Sequence, residues 1–297
     1  MTEQHPGRKP SGRLVSGAGA VLVWLLTAAA ALGDPARAAP NPAEQTDSAA
    51  WRLLAPGLEL ATFTVGSASI QVLRSDPERW QTVALAVSEL GGAPRAARAW
   101  GEEFGLTAVI NAGMYGDDLR THTGHFRTGD HVNNPRWNQK DYRQAACFEP
   151  RESGLPRFVL MDLDMHPPAA FADRYDIVIQ NIRLIRKPGE NRWPPDTRPW
   201  SEACLGEDDQ GRMLWIYCRQ PHSMHAFIEI LLALPLALVA AQHLEGGLQA
   251  QLWVASTAPA AAVPPHVTNG HQPPPLAQPG WPVPNVLGLR PRAAADR

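Results

Sequence analysis

Residues 236–254 read LALVAAQHLEGGLQAQLWV, and how this stretch is read decides the fold. Leu236 to Ala241 is an apolar run of a length that suits a strand buried on both faces. His243, Leu244 and Glu245 follow, then Gly246 and Gly247. Beyond the glycines Ala250, Leu252 and Val254 alternate with Gln249, Gln251 and Trp253, the period of a second strand. A carboxylate thus stands at the end of a buried strand, beside two residues that let another group approach the backbone. The same letters also suit a tight hairpin carrying a solvated Glu245, and local sequence leaves both readings open.

A second stretch repeats the pattern. Residues 107–110 read as a buried strand that runs into Asn111-Ala112-Gly113-Met114-Tyr115-Gly116. Asn111 offers both a donor and an acceptor, as sugar hydroxyls require; an ordinary Asn-Gly turn is the competing reading.

Outward from these two points the periodicities give the remaining elements. Residues 61–65 and 70–72 alternate about Gly66-Ser67, a hairpin. Residues 81–87 form a further strand, and residues 94–104 a short helix that Gly105 ends. Thr128-Gly129-Asp130 turns a hairpin, with Arg127 just before it as a candidate anion contact. Residues 158–161 and 177–185 read as strands, the second interrupted by Gln180 and Asn181, which must be paired or ligand-facing if buried. After a polar, proline-rich loop at 186–197 comes Arg198, then strands at 203–206 and 213–218. Ser223 suits an N-cap, His225 falls in the first turn of the helix it opens, and Pro235 stops that helix. Residues 286–289 close the sheet, so the expected fold is α+β: one domain over 51–292, of mixed or antiparallel sheet with a few packed helices. Residues 256–279, rich in Pro and Ala, read as an insertion within it.

Composition narrows the function. The chain has 297 residues and a formal net charge of −2, without the basic excess of an electrostatic nucleic-acid binder. Residues 1–38 have the form of a signal peptide: Arg8, Lys9 and Arg13, an apolar run over 15–32, then Ala36-Arg37-Ala38. An uncleaved N-terminal anchor is the alternative. Residues 39–50 read as a disordered lead-in. The expected location is periplasmic or secreted, with no stable membrane insertion after signal cleavage, since no later run is long enough to span a bilayer. Of three cysteines, Cys204 and Cys218 flank a hairpin and are the natural disulfide pair on proximity. No CxxC occurs, and His122, His125 and His131 fall on a hairpin whose successive side chains diverge, so neither metal nor cofactor is expected.

With the pieces in order, the chain resembles the phosphodiester glycosidase family from about Trp51 to Arg290. INAGMY at 110–115 and LEGG at 244–247 carry the resemblance, reinforced by Arg198 and the segment 218–232. It implies hydrolysis of a sugar-1-phosphodiester at the anomeric carbon, with a carbohydrate phosphodiester as the binding partner. A phosphomonoester leaves more readily than an alkoxide, so one carboxylate and a cationic clamp would serve. On this reading Glu245 is base or nucleophile, and Arg198 grips the phosphate bidentately. Ser223 and His225 contact phosphate at a helix N-terminus, with His225 as a proton relay. Asn111 holds a sugar hydroxyl, while Gly113, Gly246 and Gly247 leave room for the ring. The family more often shows Asp before the glycine pair, followed by Gly and Ser; here Glu245 precedes Gly246-Gly247-Leu248-Gln249, a longer arm with one hydroxyl fewer. Two other functions fit the same residues: a module that grips such a glycan without cutting it, and a metal-dependent phosphodiesterase using the three histidines.

Overall fold

The computed structural model describes residues 50–255 and 280–293. The expected signal peptide at 1–38, nearly all of the lead-in at 39–50 and the insertion at 256–279 lie outside the described residues.

Among the described residues seventeen strands and three α-helices follow one another. The first part of the chain gives β1 (Arg52–Ala55), β2 (Leu58–Val65), β3 (Ala68–Ser75), β4 (Trp80–Ala86), α1 (Val87–Leu90), α2 (Ala97–Phe104) and β5 (Ala108–Asn111). The middle gives β6 (Phe126–Thr128), β7 (His131–Asn134), β8 (Gln144–Pro150), β9 (Phe158–Asp162), β10 (Tyr175–Asn181), β11 (Arg183–Arg186) and β12 (Glu190–Asn191). The last part gives β13 (Pro199–Asp208), β14 (Met213–Ser223), α3 (Met224–Ala233), β15 (Leu238–Gly246), β16 (Leu252–Val254) and β17 (Asn285–Pro291).

The strands form three sheets, ordered β1-β2-β3-β14-β13-β15-β11-β12, β7-β6-β10-β8-β9 and β16-β5-β17-β4. Every pairing among these described strands is antiparallel. The α+β expectation is therefore corrected toward a mostly-β body. Its few helices are short and lie against sheets instead of alternating with strands.

Alternation along β13 shows how the layers are built. Ala203 and Leu205 join the central core with Trp215, Leu244, Ile110, Phe148 and Leu287, where residues from all three sheets meet. Cys204, between them, faces the opposite way, into a second core that α3 covers with Phe227, Ile228 and Leu231. Ser223 caps α3 as its sequence suggests, its Oγ accepting from Ala226 N at 3.3 Å. Gly105 ends α2 in the left-handed conformation.

Three readings fail here. Cys204 and Cys218 are free, as is Cys147. The register pairs Cys204 with Ile216 and Cys218 with Glu202, so the two thiols are diagonal neighbours, and diagonal Cα atoms stand beyond ordinary disulfide reach. Residues 177–185, read as one strand, are two. β10 belongs to the five-stranded sheet and β11 to the eight-stranded one, the chain crossing between them at Ile182. The hairpin reading of 236–254 fails likewise, because β15 and β16 lie in different sheets.

Candidate active site

The crossings create the site. β15 leaves the eight-stranded sheet at Gly246, and after one 3-10 turn β16 pairs with β5 in the four-stranded sheet. β5 ends at Asn111, whose Nδ2 donates to Gln249 O at 2.9 Å and whose Oδ1 accepts from Gln251 N at 2.8 Å. β10 ends at Asn181, whose Nδ2 donates to Ala112 O at 3.0 Å. One residue later Ile182 O accepts from His243 N at 2.9 Å. The ends of β5, β10 and β15, one from each sheet, are thus tied to one another by hydrogen bonds.

Glu245 is buried at this junction, 8% exposed, with Oε1 accepting from Gly246 N at 3.0 Å. Burial raises its pKa, and the nearby Glu202 adds to the rise, while the Gly246 N–H and His243 oppose it. The phenols of Tyr115 and Tyr142 lie within its field. Burial raises both, and the Glu245 charge raises them further. Tyr142 Oη also bonds Thr123 Oγ1 at 2.7 Å.

His122 forms the floor of the junction. It is fully buried, its Nδ1 lying 3.0 Å from both the N–H and the carbonyl of Gly124. Burial holds its pKa down at about 4, so the ring is neutral at physiological pH. Gly113, at φ 151°, passes directly over it: a Cβ there would come closer than 3.0 Å to both His122 Nε2 and Asn181 Oδ1. Glycine at 113 is thus required by the close approach of the protein's own side chains.

The expected site residues divide accordingly. Glu245, Gly246, Gly247, Asn111 and Gly113 are brought together. Arg198 stands at the same end of the sheet, three residues before Ser201, whose Oγ donates to Gly247 O at 2.8 Å. The Arg198 guanidinium is exposed and lies over Trp200, 5.8 Å from the ring centroid. The roles need correction, however. Both ends of the Asn111 amide are engaged by backbone, so it fastens the Glu245 loop to β5 instead of presenting itself to a sugar. Gly247 supplies a left-handed turn at φ 65°, and Gly246 avoids crowding Ser201 O, from which a Cβ would be 3.3 Å.

Arg127 is withdrawn as a ligand contact. Its guanidinium donates to the carbonyls of Ala172, Tyr175, Asp176 and Gly129, on the side of the five-stranded sheet where Cys147 and Val178 pack. Ser223 is spent as a cap. His225 donates from Nδ1 to Trp193 O at 2.6 Å and fastens the segment after β12 to α3, with no bond toward Glu245. The three hairpin histidines serve separate ends: His122 as above, His125 stacked on Trp137 at 4.3 Å, and His131 bonded to Ser88 Oγ at 2.8 Å. Among the described residues no group of three or more His, Cys, Asp or Glu is placed to hold a metal ion.

Sequence reasoning missed a buried pair beside Glu245. Glu202 Oε1 lies 2.5 Å from His243 Nδ1, joining β13 to β15. The available signal was a Glu and a His each directly followed by apolar residues, Glu202 by Ala203-Cys204-Leu205 and His243 by Leu244, the second next to the glutamate already singled out.

The sequence pattern of the phosphodiester glycosidase family matches residues 104–290, which takes in the ends of β5, β10 and β15 and most of the chain. The chain belongs to this family. No curated protein matches it in sequence. Among solved structures it is similar to the catalytic domain of zebrafish N-acetylglucosamine-1-phosphodiester alpha-N-acetylglucosaminidase, auto-inhibited by its pro-peptide. The TM-score is 0.54 at 13% identity, covering 84% of this chain and 88% of that one. It is also similar to a hypothetical protein from Synechocystis, with TM-score 0.54 at 11% identity, covering 82% of this chain and 64% of that one. At such identities the structural likeness is one of fold.

Proposed function

We propose that this phosphodiester glycosidase family member is an exported hydrolase that cleaves a sugar-1-phosphodiester to free sugar and a phosphomonoester. The observation that carries the reading is Glu245: one buried carboxylate where strands from three sheets are tied together, with its pKa raised by burial. A carboxylate so raised is a stronger base than an exposed one. It takes a proton from water as the water oxygen bonds to the anomeric carbon and the C–O bond to phosphate breaks. Tyr115 and Tyr142 supply hydroxyls around the sugar, and the exposed Arg198 supplies charge for the departing phosphate.

The test is turnover of sugar 1-(methyl phosphate) diesters by the full chain, N-acetylglucosamine first, reading reducing sugar and methyl phosphate. In ¹⁸O-water the label enters the sugar if the C–O bond breaks and the phosphate if the P–O bond does. Glu245→Gln is expected to lower kcat by about 10²–10⁴-fold. Wild-type turnover in that variant would remove the assignment.

A binding module remains the second reading. It is favoured by Leu248, 77% exposed at the tip of the loop where the family more often has a small residue. Saturable binding of the same diesters with no release of sugar supports it.

A further inference from the structure

The Glu202–His243 pair has no part in the reaction as described above, and its geometry suits one. The two residues sit on neighbouring central strands, 1% and 8% exposed, among the buried Ala203, Cys204, Leu205 and Leu244, with Gln242 and Glu245 the other polar residues of this part of the sheet. An ion pair in such a place is commonly no more stabilising than an apolar pair of the same volume, so stability alone is a poor account of it. Glu202 is committed to one partner: Oε1 meets His243 Nδ1 at 2.5 Å, and Oε2 has no hydrogen bond among the described residues. The carboxylate thus fixes the proton on Nδ1 and the plane of the ring, leaving Nε2 as the working nitrogen.

The ring is also placed beside Glu245. One extra residue of β15 is inserted opposite the step from Ala203 to Cys204, so that Glu245 faces Ala203 and His243 faces Cys204. Irregularities of this kind re-aim side chains next to active sites. The two groups then converge on Gly246. The Glu245 carboxylate accepts from the Gly246 N–H, and His243 Cε1 would lie 3.7 Å from a Cβ at that glycine. The Cβ of Trp200, whose ring lies beneath Arg198, borders the same position at 4.0 Å.

We infer that His243, aimed by Glu202, is a second proton-transfer group of this site, serving the departing phosphate oxygen while Glu245 serves the attacking water. The inference rests on the function proposed above. As the C–O bond breaks, its electron pair goes to the bridging oxygen. The Nε2 proton of imidazolium moves onto that phosphate oxygen, and the proton of water moves onto Glu245. Solvent exchange restores both groups before the next turnover. The charged groups bearing on the ring agree with this role. Burial disfavours imidazolium, but Glu202 on β13 and Glu245 on β15 outweigh it and raise the His243 pKa. The other titratable groups near Glu202, the thiols of Cys204 and Cys218, are pushed up by burial and stay neutral.

A general acid matters most for a poor leaving group, and that separates this role from a structural one. The full chain is assayed on N-acetylglucosamine 1-(methyl phosphate) and on N-acetylglucosaminyl fluoride, whose leaving group needs less protonation. His243→Gln should lose about 10²-fold or more in kcat on the diester and under about 10-fold on the fluoride. Glu202→Gln should move the alkaline limb of the diester pH profile to lower pH, and Glu202→Asp should restore part of it. Equal losses on both substrates, or an unmoved limb, overturns the inference while leaving Glu245 in place. A wild-type chain inactive on both substrates instead defeats the proposed function and the inference with it. Should His243→Gln not fold, ¹⁵N titration of the His243 ring in the wild-type chain still decides. A ring that loses its charge at lower pH than an ordinary histidine cannot be the acid.

Discussion

Replacing Gly113 with Ala tests the junction on which the site depends. The added Cβ would meet His122 Nε2 and Asn181 Oδ1, both buried and both closer than 3.0 Å, at a backbone φ of 151° that side-chain-bearing residues rarely adopt. Neither neighbour can swing away. His122 is held by Gly124, and Asn181 by Ala112 O. Forcing the backbone conformation costs about 1–3 kcal/mol, and overpacking a closed site a further 1–3 or so. The expected loss is therefore about 2–6 kcal/mol, a large share of the roughly 5–15 kcal/mol that holds a domain folded. For a domain of this size that corresponds to a fall in Tm of about 4–24 °C. Urea unfolding of the wild type, Gly113→Ala, His122→Ala and the double variant measures the clash itself. Removing the His122 ring should make the two costs sub-additive by about 1 kcal/mol or more. A Gly113→Ala cost under about 1 kcal/mol, or costs that simply add, would refute the claim that these groups close over one another.

Four further outcomes are expected. The buried His122 ring, with a pKa near 4 against 6.5 when exposed, binds its proton more weakly folded than unfolded. Its contribution to stability is thus present above pH 6.5 and falls by ~1.4 kcal/mol per pH unit from about 6.5 down to about 4. His122→Asn should flatten the stability curve in that window, and an unchanged slope counts against a neutral buried ring. Asn111→Ala strands Gln251 N, while Gln249 O keeps the Gln251 Nε2 donor, and should cost about 1–3 kcal/mol; Arg127→Leu should also destabilise but leave KM unchanged, and a KM effect would return Arg127 to the site. Thiol titration should find three thiols per chain once the protein is unfolded, without prior reduction, and little reaction before; a single titratable thiol would restore the Cys204–Cys218 bridge.

The sequence by itself determined what depends on neighbours a few residues away. The β2–β3 hairpin about Gly66, the Ser223 cap, the Gly105 terminus and the apolar entry to Glu245 were all legible, because periodicity and turn chemistry are local. The motifs INAGMY and LEGG were legible too, since each is contiguous. Only the tertiary structure decided which sheet each strand joins: the reading of 177–185 as one strand could not show that the chain changes sheets at Ile182, because the polar Gln180 and Asn181 just before it suit paired or ligand-facing residues of a single strand equally well. It also decided what each polar group is for. Asn111 is satisfied by residues 138 and 140 positions away, Arg127 by carbonyls up to 49 away, and Glu202 finds His243 across 41. A buried polar side chain must be paired, but its own sequence neighbourhood does not say with what. The same carboxylate or amide is a clamp, a cap or a proton carrier according to the strand that register sets beside it.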